Sequence, residues 1–304
     1  MGVLAGLFGY ILNYLYNLVQ NYGIAIILFT ILLKIVMLPI SIKQQRTMTK
    51  SQLIQKEVNK AQLKYKNNPE MLNKEVMSIY KREKVSPFSG CLSGILQFII
   101  FISVFYLVSR PLTYMKKVDP AVISKYEQEI SESGQSSSYQ EIKVIELKSG
   151  QDQDVALNMN FLGLDLSKVP MQNWKDWKVF IIPFLYVILT FVNVKITSGN
   201  VKKDNDIKRL EDDNQKSKDK DLNKESKKVD NNNESPEEQL DSMKQMTNSM
   251  NYMMPIMSVS ISLIAPLGLS LYWLVSNILQ LGEKCIVDKI IKKEKIKQEE
   301  VKDV

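Results

Sequence analysis

The chain has 304 residues, 45% of them hydrophobic, a formal net charge of +7 and no histidine. Without histidine the usual zinc sites and the Cys-His and Ser-His-Asp nucleophiles are excluded, and Cys91 and Cys285 have no ligand spacing, so no metal or cofactor is expected. Charge is segregated: residues 1–42 carry one charged side chain and 247–282 none, whereas 43–86 hold eleven Lys and Arg, which excludes a soluble domain with a single core.

The first predicted element is 1–22. Leu4, Phe8, Ile11, Leu15, Leu18 and Val19 recur at helical spacing, while Asn13, Asn17, Gln20 and Asn21 lie elsewhere around the helix. The pattern predicts an amphipathic helix lying in the membrane interface; Gly2, Gly6 and Gly9 weaken it as a span. With no basic leader and no small-residue cleavage site, it does not read as a signal peptide.

Residues 23–42 are the first predicted transmembrane helix, long enough at about 1.5 Å rise per residue for a hydrocarbon core of about 30 Å. Lys34 sits inside this run and is the one charge in it. A mid-span cation costs about 2.5–3.5 kcal/mol on insertion scales, so it either snorkels to the nearer interface or faces a wet cavity between helices. The next cluster of charge begins at Lys43. That is about 13 Å along a helix, a long reach, and the cavity is the expectation.

Residues 43–86 are polar and rich in helix formers. Asn67-Asn68-Pro69-Glu70 reads as a turn, followed by a second helix with Leu72, Val76, Ile79 and Tyr80 on one face. The expectation is an antiparallel cytoplasmic helical hairpin. Transmembrane helix 2 is placed at 88–109, closed by Arg110-Pro111. Segment 111–177, an extracytoplasmic loop, holds 7 basic and 10 acidic residues and Ser136-Ser137-Ser138, a composition that reads as mobile, with Ile142–Leu147 a candidate strand. Transmembrane helix 3 covers 179–196, with Trp174 and Trp177 as interfacial anchors before it.

Residues 197–247, with 11 basic and 13 acidic side chains, have a disordered composition and receive no activity. The uncharged run is too long for one crossing. Pro266-Leu267-Gly268 divides it into transmembrane helices 4 (248–265) and 5 (266–282), both short, before a cytoplasmic tail at 283–304. The fold class is thus all-α: five transmembrane helices plus the interfacial helix and the hairpin. Basic residues concentrate in 43–86, 197–247 and 283–304, which by the positive-inside rule puts the N-terminus outside and the C-terminus in the cytoplasm.

Several stretches carry a resemblance. They are Leu33-Lys34-Ile35-Val36-Met37-Leu38-Pro39; Tyr65-Lys66; Met77-Ser78-Ile79-Tyr80-Lys81-Arg82; Ser86-Pro87-Phe88-Ser89-Gly90-Cys91-Leu92 with Gln97-Phe98-Ile99 following; Asn160-Phe161-Leu162-Gly163-Leu164-Asp165-Leu166; Met253-Met254-Pro255-Ile256-Met257; and Pro266-Leu267-Gly268 through Tyr272-Trp273 to Asn277. Together they cover nearly all of 22–282 in order, and the chain resembles the YidC/Oxa/Alb membrane-protein insertases, of the bacterial YidC type. It departs from them at Lys34, where the family usually has Arg, and at Ser86 and Ser93, where it has Asn and Pro. Lysine keeps the point charge and loses the planar fork.

The resemblance implies a non-enzymatic insertase and chaperone with a cytoplasm-open hydrophilic groove centred on Lys34. Groove candidates beside it are Thr30, Gln97, Asn193, Trp273 and Asn277. For Gln97, Asn193 and Asn277 an interhelical hydrogen bond is the competing role, and for Trp273 a place in the interfacial belt. Phe98, Ile102, Phe105, Met253, Ile256 and Met257 are candidates for an apolar slide for a substrate helix, with plain helix packing as the commoner meaning of such stripes. The implied partners are nascent membrane proteins, the phospholipid bilayer, and the ribosome, targeting factors and Sec translocon; DNA is not among them. The rival class is a small transporter or channel using Lys34 as a substrate or proton site. Against it stand the absence of an inverted repeat and of a second intramembrane charge.

Overall fold

A computed structural model describes residues 2–65, 68–83, 89–135, 137–196 and 257–302. The charged segment 197–247, the start of predicted transmembrane helix 4, and the stretch Ser86-Pro87-Phe88 lie outside the described residues. The described part is helical apart from one two-residue β pair.

Helix α1 (Gly2–Val19) ends on Gln20, which adopts φ +52°, and Asn21 caps helix α2 (Tyr22–Lys64) by accepting from the Ile24 amide at 3.1 Å. Helix α1 is long and apolar enough to cross a membrane, as are Tyr22–Met48 and Trp177–Ile196; Gly94–Ser109 is shorter. Ala5, Gly9, Leu12 and Tyr16 of α1 are buried, yet Val3, Leu7, Tyr10, Tyr14 and Leu18 are exposed. The helix therefore has an apolar outer face as well as an inner one, and its apolar residues do not all lie on a single stripe as the spacing predicts. It docks tightly: a Cβ on Gly9 would lie 1.8 Å from the Tyr114 carbonyl oxygen, so only glycine permits this approach.

Helix α2 does not stop at the predicted end of the first span. It runs on through Pro39 into the polar segment, making one 43-residue helix. Its far end packs on α3 (Pro69–Arg82), which begins at an Asn68 cap with Pro69 in its first turn, as the turn sequence predicts. Ile54, Val58, Ala61, Leu72, Val76 and Ile79 form a hydrophobic cluster distinct from the main one, and Arg82 pairs with Glu57 across the hairpin.

Helix α4 (Ser89–Ser109) leads into a π-helical turn (Leu112–Lys116), then α5 (Pro120–Glu132) and α6 (Gln140–Lys148). Segment 111–177 has helices, turns and a β pair through nearly all its length, and Ile142–Leu147 is helical, not a strand. Ile142 and Ile145 lie one turn apart and both are buried in the main core, a spacing that a strand would send to opposite faces. Strands β1 (Asn160–Phe161) and β2 (Leu164–Asp165) close a tight hairpin through Leu162 and Gly163, both at positive φ.

Helix α7 (181–196) precedes the undescribed segment, and α8 (257–264) follows it. After Ala265-Pro266, α9 (Leu267–Lys302) extends for 36 residues, so the predicted break at Pro266 is present but the predicted end at Gly282 is not.

Contacts fix the directions of these helices. A Cβ on Gly268 would lie 3.4 Å from Tyr22 and 3.6 Å from Ile26, and 15 residues later Glu283 meets Lys34, so α2 and α9 run parallel. Tyr186, Asn193 and Ile196 of α7 meet Trp273, Asn277 and Lys284 of α9 in the same order, so α7 is parallel too. Phe101 of α4 faces Trp273 while Val108 faces Gly268, which makes α4 antiparallel.

Segment 158–168 ties one set of helix ends together. Tyr22 donates its amide to the Asn158 carbonyl at 3.0 Å, and Asn21 reaches the Asn160 carbonyl at 2.7 Å. At α9 the Leu267 and Gly268 amides donate to the Lys168 and Leu166 carbonyls at 2.9 and 3.0 Å. These are first-turn donors, which no helical carbonyl can satisfy.

Candidate functional site

Lys34 and Thr30 lie one turn apart on α2. Thr30 is buried and its hydroxyl donates to the Ile26 carbonyl at 2.6 Å, a bond internal to the helix. Lys34 reaches α9: its Nζ donates to Glu283 Oε2 at 3.0 Å across 249 residues of sequence. Both side chains are partly covered, at 24% and 14% exposure. The nearest compensation for the mid-span ammonium is therefore a carboxylate from a second helix.

On the other side of α9, three polar side chains interlock with α7. Asn193 donates through Nδ2 to the Asn277 carbonyl and to its Oδ1, both at 3.3 Å, and Asn277 Nδ2 donates to Thr190 Oγ1 at 3.0 Å. Thr190 in turn donates to the Tyr186 carbonyl, and the Tyr186 hydroxyl donates to Ser258 Oγ at 2.7 Å. This chain joins α7, α8 and α9, a role that interhelical amide bonds serve in apolar surroundings.

Trp273 is buried. It stacks on Phe101 at 5.6 Å and 2° and leans on Tyr186 at 5.9 Å, so it fills the space between α4, α7 and α9 and does not stand in an interfacial belt. Gln97 and Phe98 are exposed on α4, whereas Ile102 and Phe105 are half-buried and Phe105 packs against the core. Met257 is exposed at 45%. Met253 and Ile256 lie outside the described residues.

Of the predicted residues, Asn193 and Asn277 are brought into direct contact. Lys34 pairs with a residue that the sequence reading did not select, and Gln97 is placed apart on an exposed helix face. Glu283, Thr190, Tyr186 and Phe101 were missed. Glu283 carried one signal, being the first charge after the uncharged run. Thr190 lies close to one turn from Asn193 and exactly four residues from Tyr186, a spacing that puts polar groups on one helix face.

The sequence profile described as 60Kd inner membrane protein matches residues 14–295, from the end of α1 through most of α9. The chain belongs to that family. Among its relatives are proteins named membrane protein insertase YidC from three subspecies of Francisella tularensis: novicida, tularensis and holarctica. Each is 40% identical over 99 residues, 33% of this chain. The match spans 18% of the length of those relatives. Family membership and the apolar helices together make the chain a multi-pass protein of the bacterial plasma membrane.

Proposed function

We propose that this chain is a membrane protein insertase and chaperone, which passes the hydrophilic flank of a nascent membrane protein along a cytoplasm-open groove centred on Lys34. The observation that carries it is an ammonium on an apolar helix, 24% exposed and held by a carboxylate from a second helix. A polar segment crossing hydrocarbon leaves backbone groups unsatisfied at several kcal/mol each. A groove with a charge in it shortens the dry path and attracts acidic segments, and no covalent step is required.

In this reading α1 lies in the outer interface. Residues 23–42, 88–109, 179–196, 248–265 and 266–282 are the five spans, with 111–177 outside and the basic hairpin, 197–247 and the tail inside. The parallel course of α2, α7 and α9 supports that sidedness, because it puts the three basic segments following them on one face. Asn193, Trp273 and Asn277 form a packed wall beside the groove, Gln97 faces outward from α4, and Phe98, Ile102, Phe105 and Met257, with Met253 and Ile256, meet the substrate helix. Ribosomes, targeting factors and the Sec translocon are the partners expected at the hairpin and around the spans.

The test is reconstitution of the protein in liposomes with a small single-spanning protein bearing an acidic N-terminal tail. Insertion rises over empty liposomes, is retained by Lys34→Arg, and falls about tenfold in Lys34→Ala, the scale of one lost charge-assisted contact of about 1.4 kcal/mol. Equal insertion by all three proteins removes Lys34 from the mechanism. Solute flux abolished by Lys34→Ala, with no insertion, replaces the reading by a transporter.

A further inference from the structure

Glu283 and Lys284 are adjacent on α9 and grip different helices. Glu283 accepts from Lys34 of α2 at 3.0 Å, while Lys284 Nζ donates at 3.3 Å to the carbonyl of Ile196, the last residue of α7. The Lys284 contact is a cation on a helix C-terminus, where unsatisfied carbonyls and the helix dipole favour positive charge. One turn of α9 thus clasps both neighbours at the end opposite the 158–168 tie.

Resting on the insertase reading, we propose that Glu283 is a specificity-determining residue: a built-in carboxylate that occupies Lys34 until an acidic substrate segment displaces it. The physical case is an exchange argument. Exposing a lone mid-span ammonium is costly, and so is inserting a lone carboxylate. Replacing one carboxylate by another on the same ammonium leaves the pairing intact throughout, so the site opens to acidic segments without a bare charge on the protein.

The two partners are unequal in a way that suits this role. Lys34 lies well inside the apolar run of α2, whereas Glu283 is the first charged residue after 38 uncharged ones and begins a run of charged turns that includes Lys284, Asp288 and Lys289. Once displaced, Glu283 joins the charged turns that follow it, whereas Lys34 stays within the apolar run of α2. A neutral segment offers no replacement for the carboxylate and passes with the pair closed, so Glu283 competes with acidic segments alone.

The experiment compares insertion of two substrates, identical but for an acidic or a neutral N-terminal tail, by wild-type protein and Glu283→Gln in liposomes. With the internal competitor gone, the acidic-tailed substrate gains on the neutral one. The acidic-to-neutral ratio rises about three- to tenfold, the range for a partly exposed ion pair. Reading a ratio cancels losses from misfolding.

A charge swap, Lys34→Glu with Glu283→Lys, keeps the pair between the helices and reverses the preference toward a basic-tailed substrate. A ratio unchanged or lowered in Glu283→Gln, or a swap that still prefers acidic tails, overturns the proposal and leaves the pair as structural glue. Failure of the wild-type protein to insert either substrate is a different result: it removes the insertase reading itself, and with it the role of Glu283.

Discussion

Buried polar residues in segment 111–177 have roles that reach beyond packing. Glu141 is 4% exposed, and Thr113 donates to both of its carboxylate oxygens, from its amide at 3.0 Å and its hydroxyl at 2.6 Å. Desolvation raises its pKa above the ordinary 4.5, outweighing those hydrogen bonds, and Glu127 adds to the rise. A carboxyl that keeps its proton longer in the folded form favours folding as pH falls through the raised value. The gain levels off below 4.5, where the unfolded chain is protonated as well. Glu141→Gln, which still offers an acceptor to the amide and a donor to the hydroxyl, is expected to be about 1 kcal/mol more stable near neutrality. Thermal melts from pH 7 to pH 5 check this: wild type rises more steeply toward acid than the variant, and equal slopes refute the assignment.

At the scale of elements, the hairpin made by the end of α2 and α3 has its own hydrophobic cluster, so its stability is separable from that of the spans. Ile79 is 3% exposed there. Ile79→Ala removes about 2–5 kcal/mol from the hairpin. Amide exchange in 50–82 is expected to speed up while α4 and α7 keep their protection; a uniform change in exchange across the molecule counts against independence.

The hairpin was legible in the sequence because Asn68-Pro69 is a start signal with a mechanism and both arms are periodic. The extents of α2 and α9 were not. Hydropathy reports where a helix leaves the hydrocarbon, not where its hydrogen bonds stop, and neither Pro39 nor Gly282 ends its helix. Residues 142–147 misled for another reason. Ile142, Val144, Ile145 and Leu147 fit an alternating and a helical pattern about equally, and packing against the core decided between them. The partner of Lys34 lay 249 residues away, so no local spacing pointed to it.

For the whole molecule the testable property is sidedness. Leu162, at the hairpin tip, is 87% exposed, and Cys285 is an exposed free thiol on α9, beyond the Lys34 pair. In intact cells a membrane-impermeant maleimide is expected to label Leu162→Cys, in a background with Cys91 and Cys285 replaced by Ser. In the native chain Cys285 is expected to react only after permeabilisation. Labelling of both sites, or of Cys285 alone, in intact cells reverses or dissolves the proposed topology.

The clasp made by residues 158–168 bears on how such a bundle moves. It fastens the first turns of α2 and α9 by four hydrogen bonds from their amides and the Asn21 side chain. Two rods pinned at one end separate in proportion to the distance from the pin. The same small pivot that leaves Tyr22 and Gly268 in touch parts the lysine and the glutamate further along the two helices. The geometry is that of a forceps, with the 158–168 clasp at its hinge and the Lys34–Glu283 pair toward its jaws.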